Sequence, residues 1–385
     1  MSMRPSSRLF RAALVGLVAV GLSGCGMFSQ TDARFDPAPL TDYAPSLAVS
    51  ARWSTSIGSG GGYGFSPELV GDTLYAATPS GTVAALNASS GALHWRADAG
   101  ALSAGVGSDG RVVAVVTQTG MVVAYDAQGK ELWRSQAASA VNVPPAVGNG
   151  IVAVRTTDYR IQAFDAATGK LRWNVQRPGP ALALRTSIRM LSVPNLLIAG
   201  MPNGRLMVID AASGAVRWEG SVSASRGASD LERITDVVGA PVIVGPALCG
   251  VSYQGRTTCF DVSQGGRAVW SADVSSSTGM NTDGQRLYMA DGRDTVHALD
   301  LHDGHELWKQ AALLNRRLSA PAPAGAAVAV GDFEGYVHFL SRDNGALMAR
   351  LQVGGGPVVS ALVPTPRGVV VQTGDGKLIL VGVGG

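Results

Sequence analysis

The chain has 385 residues, of which 46% are hydrophobic, only 6% are aromatic and 50 are glycine. Its formal charge of +3 resides in the first 24 residues, where Arg4, Arg8 and Arg11 stand without an acid, and the remainder carries 28 cations and 28 acids. A neutral body has no electrostatic footprint for nucleic acid, and beyond residue 22 there is no run of 18 apolar residues to span a bilayer.

Three arginines followed by the apolar stretch 12–22 read as a secretory signal over residues 1–24, too short to cross a membrane. Leu22-Ser23-Gly24-Cys25 resembles the lipobox of bacterial lipoproteins. That resemblance implies that Cys25 is acylated, palmitate included, and becomes the first mature residue. Gly26 rather than Asp follows it, which by the same resemblance implies the periplasmic face of a Gram-negative outer membrane. Residues 25–47 are polar and proline-rich (Pro37, Pro39, Pro45) and read as a flexible tether. Fully extended, it reaches about 70 Å. A lipid tail alone then holds the protein at the membrane.

From residue 48 to 383 one phrase recurs: a short apolar strand, a small polar residue, then Gly and Trp. Clear copies occupy residues 81–95, 120–133, 160–173, 204–218, 255–270 and 295–308, with a degraded copy at 335–349 and a truncated one at 376–381. Successive tryptophans, beginning with the orphan Trp53, are 42, 38, 40, 45, 52 and 38 residues apart. Each interval holds about four short strands, the content of a propeller blade. The intervening runs, such as Val112–Val116 and Val369–Val371 in the stretches 112–116 and 369–371, are β-branched and bounded by turn residues. The expected fold is all-β: an eight-bladed β-propeller of four-stranded antiparallel blades. The last copy lacks an outer strand, and residues 48–57 supply one, so the N-terminal strand pairs with the C-terminal blade and closes the ring.

The polar residue after each strand is Asn87, Asp126, Asp165, Asp210, Asp261, Asp300 or Ser341, and a glycine follows three to five residues later. Such residues cap tight turns, so their recurrence predicts turn chemistry rather than catalysis. The Trp four residues beyond each glycine predicts packing between neighbouring sheets. Cys249 and Cys259 flank a turn on adjacent strands of the fifth blade. They pair as a disulfide if the register sets them opposite, and face apart if it is offset by one. His302 and His305 sit in a turn without a further ligand nearby in sequence and read as surface histidines, so no metal site is expected. The glycine-rich stretch 58–64 lacks the Gly-Lys-Ser/Thr ending of a phosphate loop and reads as a flexible connection.

The two longest tryptophan intervals, 45 and 52, are consecutive, so neighbouring blades carry extra loop. One loop contains Leu182, Leu184 and Arg185; the other contains Asp230, Leu231, Glu232, Arg233 and Asp236. Together they form either a small apolar patch with a charged rim or ordinary strand faces and turn caps.

The repeat resembles that of quinoprotein dehydrogenases, which bind pyrroloquinoline quinone and calcium in an eight-bladed propeller. Those enzymes stack the quinone on a disulfide between neighbouring cysteines, which this chain lacks, so the likeness implies architecture only and no cofactor is expected. The lipobox, the tether, the repeat and about 360 mature residues together resemble the BamB family, lipoprotein subunits of the outer-membrane β-barrel assembly machinery. Local phrases carry the likeness too: Asp230-Leu231-Glu232-Arg233-Ile234-Thr235-Asp236, Ser252-Tyr253-Gln254-Gly255-Arg256 and Gly331-Asp332-Phe333-Glu334-Gly335-Tyr336. The resemblance implies a non-enzymatic scaffold that meets the periplasmic POTRA domains of BamA and other assembly lipoproteins, and handles unfolded barrel clients. Leu182, Leu184, Arg185 and Asp236 match the family's contact positions. A second family acid falls at Val238, so Glu232, beside Arg233, or Asp230 has to replace it. A different periplasmic binding propeller or a quinoprotein enzyme are the alternatives.

Overall fold

The computed structural model describes residues 33–180, 184 and 187–384. Signal residues 1–24 and Cys25 lie outside the described residues. Among the described residues the strands form eight separate four-stranded sheets, each antiparallel. Blade 1 is Glu68–Val70, Thr73–Ala77, Thr82–Asn87 and Leu93–Asp98, from the axis outward. Blades 2 to 7 follow at residues 102–136, 146–176, 191–221, 237–272, 280–310 and 322–352. Blade 8 takes three strands from residues 363–383 and its outermost from Val49–Ser56. That strand pairs with Lys377–Val383 from Val49↔Val383 to Ser56↔Lys377, with one bulge near Trp53. The closure expected from the two leftover ends is therefore the one observed.

The middle strands of every blade are buried on both faces, as in Val112–Thr117 and Ala327–Gly331, which is why they read as continuous apolar runs. The outer strands alternate and carry the polar residues. Each cap residue works as its spacing predicts. Asn87 Oδ1 accepts from Ser89 N and Ser90 N at 3.0 Å, and Asp126, Asp165 and Asp300 accept in the same way. Arg172, with the hydroxyl and the backbone N–H of Thr168, holds the Asp165 carboxyl down at about 2.

The repeated tryptophan joins blades. Trp133 of blade 2 donates its indole N–H to Ala166 O at 2.9 Å, in the outer turn of blade 3. Trp53, Trp95, Trp173, Trp270 and Trp308 make the equivalent bond one blade further on. The turn glycine lies flat under the ring. At Gly129, which has φ +82°, a Cβ would come within 2.5 Å of Trp95. Trp218 differs because the receiving turn is one residue longer and forms a short 3-10 helix, Val262–Gln264; its ring meets Phe260 edge-on at 4.9 Å. Blade 7 has Ala349 where the others have tryptophan. The next blade's outer strand is the N-terminal one, so blade 8 has no turn there to receive an indole. Leu47 and Val49 pack into that cluster instead.

Residues 34–47 correct the expectation of a free tether. Asn315 Nδ2 donates to Arg34 O and Asp36 O at 3.0 and 2.9 Å, and Ala38 N donates to Leu314 O at 2.9 Å. Further along, Arg350 donates to Thr41 O at 3.1 Å and Ser46 N donates to Met348 O at 2.8 Å. Leu40 and Leu47 pack against core clusters. Composition signalled flexibility because prolines and polar residues cannot build a core alone; blade 7 supplies the missing partners. The stretch 58–64 is likewise fitted between blades, with Gly64 O accepting from Gly105 N at 2.8 Å. Among the described residues no helix is long and apolar enough to cross a membrane.

Antiparallel succession sorts the connections onto two faces. Turns between second and third strands, and the links from one blade to the next, emerge on one face, hereafter the loop face. The capped glycine turns occupy the other.

Candidate functional site

The axial channel narrows to a cavity of about 160 Å³ lined by Ser66, Arg189, Thr278, Asn281 and Leu362, among others. Arg189, just ahead of blade 4, reaches across to the Glu68 carboxylate of blade 1 and donates to Ser66 O at 3.0 Å and Val106 O at 3.3 Å. Burial in the channel pushes its guanidinium down to about 10, so it stays cationic at neutral pH. This pair occupies the axis. Cys249 and Cys259 stand directly opposite on adjacent strands of blade 5, Cα atoms 4.1 Å apart, and form a disulfide inside that blade's core. The register thus decides in favour of the bridge. The quinoprotein enzymes this chain resembles stack their quinone on a disulfide between adjacent cysteines; this bridge joins residues ten apart inside a blade and offers no such platform.

The two extended connections, residues 177–190 and 222–236, leave blades 3 and 4 on the loop face and flank blade 4. The first is tied from both sides. Tyr159 OH, from the turn within blade 3, donates to Pro180 O at 2.8 Å. Leu184 N donates to Asp236 Oδ2 at 2.8 Å. Gly239 N donates to Ser187 O at 2.6 Å, and Arg189 N returns a bond to Gly239 O at 3.0 Å. Leu182 and Arg185 lie outside the described residues. Leu184 is partly buried against the cluster of Val238, Val242 and Met280.

Asp236, a contact position by the resemblance alone, is only 2% exposed, and its carboxylate faces the neighbouring loop rather than solvent. Burial raises the carboxyl above its ordinary value, against the lowering effects of the Leu184 N–H and the Arg155 cation. Its oxygen is spent on the neighbouring loop, and it acts as a positioning residue. The second loop does present side chains. Leu231 is 67% exposed, and Arg233 pairs with Asp230 at 2.6 Å on the surface. Glu232 folds back to accept from Ala228 N and Ser229 N at 2.8 and 3.1 Å, which lowers its carboxyl. Sequence reasoning missed Tyr159, whose φ of +64° marks a turn that aims its hydroxyl at the loop. It also left Arg155 unnoticed, a buried cation reaching Gly200 O behind Asp236. A lone Leu231 between acids was the readable signal for the exposed tip.

Two further polar clusters lie on blade 6. Asp300, Asp303 and His305 gather on an exposed glycine turn, with ligand atoms within 4.8 Å of one another; Asp300 and Asp303 already serve as turn caps. His297 sits between Glu306 at 2.8 Å and Asp291 at 3.3 Å. Burial alone would lower its pKa, but the two carboxylates outweigh that and raise it above 6.5. Its stabilisation is complete below the unfolded value and is lost as pH rises through the higher folded one. The urea midpoint should therefore fall between about pH 6 and pH 9 by an increment that His297→Gln lacks. Equal slopes in both proteins would refute the coupling.

The family model described as outer membrane protein assembly factor BamB matches residues 50–102 and 79–310. A curated outer membrane protein assembly factor BamB from Bordetella pertussis is 54% identical over 97% of this chain and 97% of its own length. The crystal structure of BamB from Moraxella catarrhalis superposes with a TM-score of 0.80 at 24% identity, covering 87% of this chain and all of the other. Quinohemoprotein alcohol dehydrogenase from Comamonas testosteroni shares the fold alone, with a TM-score of 0.66 at 14% identity over 87% of this chain and 76% of the other. By its closed ring of eight blades and its kinship along nearly the whole length, this chain belongs to the BamB family of outer membrane protein assembly factors.

Proposed function

We propose that the chain is a non-catalytic scaffold of the outer-membrane β-barrel assembly machinery, held at the periplasmic face by a lipid on Cys25. It docks through its loop face on the POTRA domains of a BamA-type protein and holds them in an arrangement that aids barrel folding and insertion. The role named for its relatives, outer membrane protein assembly, supports the process. One observation carries the docking reading: the Leu184 N to Asp236 Oδ2 bond of 2.8 Å makes the two longest connections a single ridge. Leu231 gives that ridge an apolar point and the Asp230–Arg233 pair a charged rim, the composition of a protein interface. Leu182 and Arg185 flank Leu184 in the sequence.

Arg185→Glu and Leu231→Asp are each expected to reduce co-purification with the BamA partner in mild detergent by roughly tenfold or more. Their unfolding midpoints should match the parent. Asp236→Ala should reduce it as well, whereas Asp236→Asn keeps an acceptor for Leu184 N and should retain it. Full recovery with both the Arg185→Glu and Leu231→Asp variants would move the docking site elsewhere.

A further inference from the structure

Residues 34–47 hold a position that neither the docking ridge nor ring closure requires. They start on the loop face, where Asn315, Leu314 and Arg316 in the link between blades 6 and 7 bind Arg34, Asp36 and Ala38. They then climb the outside of blade 7, antiparallel to its outer strand Leu347–Gln352. Arg350 pairs with Asp42 at 3.3 Å and lies over the Tyr43 ring at 5.7 Å. At the far end Ser46 N reaches Met348 O, and the chain turns back as the closing strand of blade 8. The segment covers a stretch of exposed strand edge that would otherwise be open to pairing.

The grip on the loop face is built rather than incidental. Arg316 is 3% exposed, and its guanidinium donates to Asp332 Oδ2 at 2.9 Å, to Glu334 and to Ala38 O at 2.9 Å. Phe333 lies under it at 5.3 Å. Losing residue 38 would leave one of its buried donors without an acceptor, which is costly. The chain N-terminal to residue 33 therefore departs from a defined point: the loop face at the seam of blades 6 and 7.

Only eight residue steps separate Cys25 from Ala33, a reach of about 30 Å at full extension. We infer that residues 34–47 are a fixed strap that delivers the lipid anchor at the blade 6–7 rim of the loop face, so that this rim is the part of the disc nearest the bilayer. The occupant of that side is the lipid surface itself. The docking ridge at blade 4 lies on the same face but at another part of the rim, so anchoring and partner contact proceed without competing. This rests on the reading of Cys25 as acylated.

The test uses the full acylated protein in phosphatidylethanolamine/phosphatidylglycerol vesicles. Single fluorophores go on two exposed positions of blade 6, Arg293→Cys on the loop face and His302→Cys on the glycine-turn face. A headgroup quencher should quench the first at least about twofold more than the second. In the same sample, amide exchange in the 33–47 peptide should be roughly tenfold slower than in an Asn315→Ala/Arg350→Ala variant. That variant should also equalise the two quenching ratios. Fast exchange of the parent peptide, equal quenching at both positions, or stronger quenching at His302→Cys would each overturn the strap. An N-terminal peptide without acyl mass would overturn the inference through the anchor instead, and mass spectrometry tells that failure from the others.

Discussion

Asp332→Ala is expected to destabilise the protein by about 3–5 kcal/mol, the range for breaking a buried ion pair by removing one partner. Asp332 is fully buried, and its Oδ2 takes hydrogen bonds from Arg316 Nε and His338 Nε2, both at 2.9 Å. Its Oδ1 caps Glu334 N and Tyr336 N at 3.0 and 2.9 Å. Alanine would remove one buried acceptor of the Arg316 guanidinium, the partner of the His338 imidazole and the cap of two turn amides in blade 7. Burial by itself raises the carboxyl, but the bonds from His338 and Tyr336 N, with Arg316, outweigh it and hold it below 3.8. A carboxyl with a depressed folded pKa stabilises fully above its unfolded value and loses that contribution as pH falls through the folded one. Urea unfolding at neutral pH reads the first effect. An acid step beginning below about pH 4 in the parent and absent in Asp332→Asn reads the second. A loss under about 1 kcal/mol would show that the network is solvated and exchangeable.

Trp133→Ala should cost a similar amount, about 3–5 kcal/mol, because it empties a seam as well as a side chain. The indole is 8% exposed, lies against Phe164 at 6.2 Å, and donates to Ala166 O of the next blade. The informative partner is Ala349→Trp, which restores the consensus in blade 7. Local pattern alone predicts a gain. The fold predicts a loss of about 1–3 kcal/mol from overpacking, since Ala349 is 1% exposed and lies in the cluster that Leu47 and Val49 cover, with no receiving turn. A stabilised Ala349→Trp would mean that the explanation of the missing tryptophan by ring closure is wrong.

These cases mark where sequence reasoning reached and where it stopped. Turn caps, strand faces and the glycine–tryptophan unit obey rules that act within about a dozen residues, so Asn87, Gly129 and Trp133 could be read without a fold. The joined pair of long connections was legible as surplus loop length around Leu184 and Leu231. The role of Asp236 was not: whether a carboxylate faces water or a loop 52 positions away depends on how two links cross a shared blade. Residues 34–47 were misread as free for the same reason, since their binding partners, Asn315 and Arg350, are some 280 and 309 residues distant.

By itself the amino-acid order determined the number of blades, the kind of turn, the neutral body and the pairing of head with tail. All of these follow from short-range periodicity, charge composition and a count of unmatched strands. Only the tertiary structure decided that Arg189 bars the axis, that the cysteines stand in register, that Asp236 looks inward and that residues 34–47 lie on blade 7. Each of those depends on contacts between segments far apart in the chain, whose geometry exists only once the ring has closed.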